Sequence, residues 1–447
     1  MGLVSILTVL LALSSTSPAA EYSDFLNEDL RIEQESEAFT REYEFEPSAV
    51  LDASSAEPDL RTILRRKIRK RVGGQTVYTT PKVQYGVLFS GPSDYKEGED
   101  LSLPPASTNK IFTAALALKE LGGDYTYETR FTWNRRADEA ADLTFIGAGD
   151  PSMEATSLPL VFDGYVAGLK AAGVKKVYGP LRFGSTDPRW AERTVPEGWL
   201  PRDLKTETGY IPDALGILTE AKIGTALKTK LAEFGITWIL ESPSFPESEG
   251  IQESVAHRSA PLREILKPFV QNSINYKGEA ILRKIGELKG ARSAPNLHIA
   301  GLTVLREFVV GTLSTPSETE GLVLNDGSGL SRKSLVTARA LVHFLSLIKN
   351  EPYFPDFVEA LATAAESGTL KTRMVGTPAA GRVRAKTGTL DGNYPLTGYL
   401  TEKTPAGTEY HPFAILTETK EAGAAYCRLV EDDALAQLAA WMLANGR

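Results

Sequence analysis

Pro105-Ala106-Ser107-Thr108-Asn109-Lys110 runs without a break into the apolar segment Ile111 to Leu118, and the reading of this join decides the fold. Ser107 and Lys110 are three apart, so a helix beginning near Ser107 puts the hydroxyl and the amine on one face. A serine hydroxyl is a weak nucleophile until its proton is removed, and a neutral amine within hydrogen-bond reach can remove it. Desolvation and a second nearby cation both favour the neutral amine. A helix N-terminus under Ser107 adds oriented N–H groups where negative charge develops on a reacting carbonyl. Alone, Ser-x-x-Lys is a loose pattern that an ordinary helix start with a solvated lysine also satisfies.

Two later stretches supply partners. Val270-Gln271-Asn272-Ser273-Ile274-Asn275 falls at a break between helical patterns and offers Ser273 and Asn275 as short polar groups. Ser273 can pass a proton to a leaving amine, and Asn275 can hold the substrate amide or the lysine. Arg384-Ala385-Lys386-Thr387-Gly388-Thr389 ends a strand-like run. There Lys386 is a fixed cation beside Lys110, Thr387 and Thr389 offer hydroxyls to a carboxylate, and Gly388 lets a substrate backbone approach the strand edge. The N–H groups of Ser107 and Thr389 are the natural oxyanion pair.

Ser-x-x-Lys, Ser-x-Asn and Lys-Thr-Gly in this order are the set shared by penicillin-binding proteins and serine β-lactamases. Gly149-Asp150-Pro151 and Asp326-Gly327-Ser328-Gly329-Leu330-Ser331-Arg332 extend the similarity over roughly residues 75 to 425. The chain resembles the low-molecular-mass class C penicillin-binding proteins, the D-alanyl-D-alanine carboxypeptidase/endopeptidases of peptidase family S13. That resemblance implies an α/β fold: a β-lactamase/transpeptidase-like catalytic domain, its central antiparallel sheet flanked by helices, interrupted by a mostly β second domain. The expected division is 1–20 signal peptide, 21–72 acidic arm and basic helix, 73–130 and 261–447 catalytic domain, and 131–260 insert. A third domain found in many relatives is expected to be missing or rudimentary, because only 162 residues separate Lys110 from Ser273.

The resemblance also implies an activity and a site. The chain is expected to be a serine-type DD-peptidase that cleaves D-Ala-D-Ala termini and D-Ala-diaminopimelate cross-links of peptidoglycan through an acyl-enzyme on Ser107, with penicillins trapping it. Ser107, Lys110, Ser273, Asn275 and Lys386 are the expected catalytic set, with Thr387, Gly388 and Thr389 binding substrate. The family reads the free end of diaminopimelate with an arginine, matched by Arg332, and with an acid and an aromatic in the insert, for which Asp187 and Trp190 are the candidates. Ile274 replaces the family's usual acid, and its side chain is expected to point away from the substrate. Asp391 stands where some relatives have an amide. A serine β-lactamase would use the same residues, against which the long insert argues. A non-catalytic wall-binding protein would have little reason to keep Ser107, Lys110 and Lys386 together.

Composition narrows the remaining classes. With 447 residues, 42% hydrophobic and 24% charged, the chain has the make-up of a soluble globular protein of two or three domains. The net charge of −8 is concentrated in residues 21–59, where thirteen acidic residues face Arg31 and Arg41. The body is therefore nearly neutral, and no nucleic-acid partner is expected. Leu60 to Val72, with Leu60, Ile63, Leu64 and Ile68 at helical spacing among seven cations, predicts a basic amphipathic helix. Residues 1–20 resemble a secretory signal peptide lacking a basic n-region, with export to the periplasm and no transmembrane anchor expected. His257, His298, His343 and His411 form no ligand motif, so neither metal nor cofactor is expected.

Overall fold

The computed structural model describes residues 43–45, 57–72, 75–91, 93–136, 138–205, 210–240 and 248–446. The leader, residues 1–20, and most of the acidic arm lie outside the described residues.

In chain order, β1 (Tyr43–Phe45), α1 (Leu60–Leu64), β2 (Ile68–Val72) and β3 (Gln75–Thr79) precede β4 (Val83–Phe89) and β5 (Lys96–Glu97). A 3₁₀ turn over Ala106–Asn109 leads into α2 (Lys110–Leu121). Next come β6 (Glu128–Arg136), β7 (Ala140–Gly147), α3 (Leu158–Ala171), β8 (Lys176–Tyr178), β9 (Arg182–Ser185), α4 (Glu220–Glu233), β10 (Thr237–Ile239) and β11 (Ser248–Arg258). The chain then forms α5 (Leu262–Gln271), α6 (Asn275–Leu288), α7 (Leu297–Leu313) and α8 (Ala338–Ile348). It ends with β12 (Ala362–Thr363), β13 (Val383–Thr387), β14 (Leu396–Thr404), β15 (Gly407–Thr419) and α9 (Ala424–Ala444).

The central sheet has the order β12-β13-β14-β15-β4-β5, antiparallel throughout. Its strands alternate with period two, as a sheet covered on both faces requires. On β15, Ala414 and Leu416 join the cluster built from α2, α5, α6, α7 and α8, while Phe413 and Ile415 join the cluster under α9 and α1. Each large aliphatic side chain so buried contributes about 1.5–3 kcal/mol. Every residue of α2 from Lys110 to Leu118 is buried, which places this helix in the core and not on a surface.

Residues 128–258 form a second sheet, ordered β10-β8-β7-β6-β11 with β9 paired to β7. Helices α3 and α4 pack on it through a separate apolar cluster that includes Phe131, Phe145, Phe162 and Leu227. Insertion between α2 and α5 leaves the flanking halves free to share one sheet.

The helix expected over Leu60 to Val72 is corrected. It ends at Leu64, and Ile68 to Val72 pairs antiparallel with β3, Ile68 opposite Thr79 and Val72 opposite Gln75. Asp59 caps the short helix by accepting from Thr62 N–H at 3.2 Å, and one turn suffices to bury Leu60 and Leu64. Beyond it Ile68 and Val72 keep the i+4 spacing, but the backbone takes its hydrogen bonds in the ladder with β3 and not in a helix. Gly73-Gly74, the dipeptide separating the two strands, is of the type that two-residue hairpin connections favour. Among the described residues no helix is long and apolar enough to cross a membrane.

Candidate active site

The nucleophile stands at the start of the buried helix. Ser107 lies in the 3₁₀ turn, so its side chain is half-buried while Lys110, three residues on, has no exposed surface. Lys110 Nζ is 2.8 Å from Ser107 Oγ, 2.6 Å from Asn275 Oδ1 and 2.7 Å from the Ser328 carbonyl oxygen. The last two can only accept. An amine that gives one N–H to each of them can turn its lone pair to the Ser107 hydroxyl, the arrangement a base needs.

The turn is held under strain. Ala106 has φ 45 and Ser273 has φ 61, left-handed values that cost a non-glycine residue about 1–3 kcal/mol each and that concentrate at functional sites. Gly329 permits the first of these: a Cβ there would lie 1.9 Å from the Ala106 carbonyl oxygen. Gly388 brings the sheet edge to the nucleophile, since a Cβ on it would stand 3.0 Å from that of Ala106 and 2.6 Å from Pro395 Cγ. The residue between the edge strand and its return is fixed from both sides. Gly388 N–H donates to Pro395 O at 2.7 Å, and Leu390 N–H to Asn393 O at 2.9 Å, which sets the backbone of Thr389.

The remaining expected residues fall around this point. Asn275 opens α6, and Ser273 lies two residues before it, half-buried. Lys386 is fully buried on β13 and donates to Thr387 O at 2.7 Å, while Thr387 Oγ1 is 2.8 Å from Thr369 Oγ1. Arg332 Nε donates to Asp391 at 2.8 Å, and its other nitrogens hold Asp203 of the insert. Burial works against the Arg332 charge, but these two carboxylates outweigh it and raise the guanidinium pKa. Arg202 closes the cluster on Asp391 at 2.7 Å.

Asp187 and Trp190 are corrected. Asp187 caps the turn Pro188–Ala191 and pairs with Arg189 at 2.7 Å. Trp190 is fully buried beneath Gly149 and donates to Glu287 at 3.0 Å. Glu287 is twelve residues beyond Asn275 on α6, so that ring packs about 18 Å along the helix from the site. The acid and aromatic from the insert that do reach this region are Asp203, on Arg332, and Trp199, whose Nε1 donates to Asp326 at 2.7 Å. The signal was present in Trp199-Leu200-Pro201-Arg202-Asp203, but its spacing resembles that of the other stretch too closely to separate them.

Sequence reasoning also missed the buried support of the loop 326–331. Asp326 accepts from Gly329 N–H and Ser331 N–H, each at 2.7 Å, as well as from Trp199. Burial, and then the negative charge of Glu279, push its pKa up to about 6. Among the described residues one group has metal-ligand spacing, Glu402, Glu409 and His411 on the β14–β15 hairpin. His411 Nε2 lies 2.9 Å from Glu402 Oε2, within hydrogen-bond distance.

Fold and site together fit a serine acyl-transfer enzyme, with a lysine amine 2.8 Å from a serine hydroxyl at the start of a buried helix. The model of the D-Ala-D-Ala carboxypeptidase 3 (S13) family matches residues 90–219 and 216–425, and the chain belongs to that family of serine DD-peptidases. It is 30% identical to the D-alanyl-D-alanine carboxypeptidase of Actinomadura sp. (strain R39), over 79% of this chain and 82% of that one. It is 27% identical to carboxypeptidase DacB of Mycolicibacterium smegmatis, over 70% and 72%. Penicillin-binding protein 4 of Haemophilus influenzae superposes with a TM-score of 0.61 at 20% identity, covering 78% of this chain and 95% of its own. A second structure of that protein, with a TM-score of 0.54, holds a β-lactam.

Proposed function

We propose that Ser107 Oγ attacks the carbonyl of the penultimate D-Ala of a peptidoglycan stem, with Lys110 Nζ taking its proton. The contact that carries this reading is the 2.8 Å separation of Lys110 Nζ and Ser107 Oγ, with Asn275 and Ser328 holding the amine's other face. The tetrahedral oxyanion rests between the N–H groups of Ser107 and Thr389. Ser273 relays a proton to the leaving amine, which departs as D-Ala or as the cross-linked D-amino end of a neighbouring stem. Water then cleaves the Ser107 ester, with Lys110 again as base. Lys386, Thr387 and Thr369 face the terminal carboxylate. Arg332, Asp203, Trp199 and Asp391 border the side chain of the residue before the cleaved D-Ala, where diaminopimelate would lie. A β-lactam presents the same acyl donor but keeps its leaving amine tethered, so it acylates Ser107 and deacylates slowly. The leader-like residues 1–20 support action in the periplasm.

Intact mass after brief exposure to benzylpenicillin, beside a Ser107→Ala variant, tests the reading. A lasting one-to-one adduct that the variant lacks is expected. Consumption of penicillin without an adduct points instead to a β-lactamase, and no reaction at all to a binding protein.

A further inference from the structure

Lys110 is approached by α6 along two routes. Asn275 Oδ1 accepts directly from Nζ at 2.6 Å. Glu279, one turn later and so on the same face, accepts from Gly327 N–H at 3.0 Å. Gly327 belongs to the loop that supplies the other acceptor, Ser328 O, 2.7 Å from Nζ. The same residue is gripped from α2, where Thr113 Oγ1 donates to Gly327 O at 2.7 Å. Thus Glu279 and Thr113 clamp opposite ends of one residue, and the next carbonyl points at the base.

Glu279 is 1% exposed and its second oxygen, Oε2, has no hydrogen-bond partner. That oxygen faces His298 Nδ1 at 3.7 Å, itself 2% exposed and also unpartnered. Burial works against the Glu279 charge, but His298, the Ser328 side chain and Arg283 outweigh it and lower its pKa. The carboxylate is thus kept at this point of the core, where its Oε1 holds Gly327 N–H.

We propose that Glu279 is a positioning residue for the acylation step, acting by its reach to Gly327 N–H and not by its charge. This rests on the DD-peptidase reading above. With the loop fixed, Ser328 O takes one N–H of Lys110 and the lone pair turns to Ser107; with it released, the amine rotates away from the hydroxyl.

Reach and charge separate in two conservative variants. Glu279→Gln keeps the length and the Oε1 acceptor, and its amide can donate toward His298 Nδ1. Glu279→Asp keeps the charge but falls one methylene short. The readouts are the second-order rate of benzylpenicillin acylation at Ser107, and kcat and KM on a D-Ala-D-Ala peptide. Glu279→Asp is expected to lose about tenfold or more in acylation rate and kcat with KM unchanged, whereas Glu279→Gln stays within about threefold of the parent. Thr113→Val, which releases the same residue from the α2 side, should behave as Glu279→Asp does. The reverse order of the two Glu279 variants would show that charge is what matters, and equal rates in all of them would show that the loop needs no such clamp. Either result overturns the proposal. Failure of the parent protein itself to acylate would instead remove the functional reading beneath it.

Discussion

Lys110 is a lysine with no exposed surface, and its surroundings are chosen to accept N–H bonds while the hydroxyl of Ser107 completes them. Replacing it with Met keeps the stem packed in the core and removes the base. Lys110→Met is expected to abolish penicillin acylation while leaving the melting temperature within a few degrees, checked by intact mass and calorimetry. Asp326 gives a pH prediction. Its pKa, raised to about 6 by burial and by Glu279, lies above the ordinary 3.8, so the folded state binds a proton more readily than the unfolded chain. The stability this gives is fully present below about 3.8 and lost as pH rises to about 6, on the order of 2–3 kcal/mol at 1.4 kcal/mol per unit. Asp326→Asn is therefore expected to flatten the decline of unfolding free energy between pH 4 and 6, measured by urea titration at each pH.

At the scale of elements, the site depends on how closely three pieces of backbone approach: the Ser107 turn, the 326–331 loop and the end of strand β13. Gly329→Ala puts a Cβ 1.9 Å from the Ala106 carbonyl at a φ of +82 that alanine resists. It is expected to destabilise the protein by about 3 kcal/mol or more and to slow acylation by at least tenfold. Thermal unfolding and the acylation rate read the two effects on one sample. The elements themselves were legible where a pattern had a single solution. Helix α2 is dictated by its apolar run, and β13 by the strand-like run that ends in Lys386-Thr387-Gly388. The segment Leu60 to Val72 was not legible in this way, because its apolar residues keep helical spacing throughout while the helix stops at Leu64. Ile68 to Val72 find their hydrogen bonds in β3, a partner that spacing along the chain does not reveal.

Across the whole molecule, the ties between the inserted unit and the catalytic body include one through Lys277 and one through Arg332. Lys277, nearly buried on α6, donates to Pro151 O at 2.7 Å and to Glu154 at 2.9 Å, and Tyr276 Oη donates to Glu154 at 2.8 Å. Arg332 joins Asp203 of the insert to Asp391 beyond the sheet edge. Lys277→Met leaves Pro151 O and Glu154 without their cation and is expected to cost about 2–4 kcal/mol. Hydrogen exchange should show the loss concentrated around residues 149–155. If protection there is unchanged, the bridge does not hold the insert.

The three motifs, their order and their residue types stand in the sequence because the chemistry restricts them: a hydroxyl, an amine one turn away, a cation and a glycine at a strand edge. Those restrictions were enough to give the fold class and to single out Ser107, Lys110 and Asn275, which the structure brings into hydrogen-bond contact. That Asp203 reaches Arg332 and Trp199 the loop acid Asp326 was decided by tertiary structure alone. Asp187 with Trp190 and Asp203 with Trp199 offer the same chemistry along the chain, and only tertiary packing puts Trp190 on Glu287 far along α6 and Asp203 on Arg332. The same holds for Glu279. Its role depends on Gly327, 48 residues away, and a single hydrogen bond between distant segments leaves no period or spacing in the sequence to find it by.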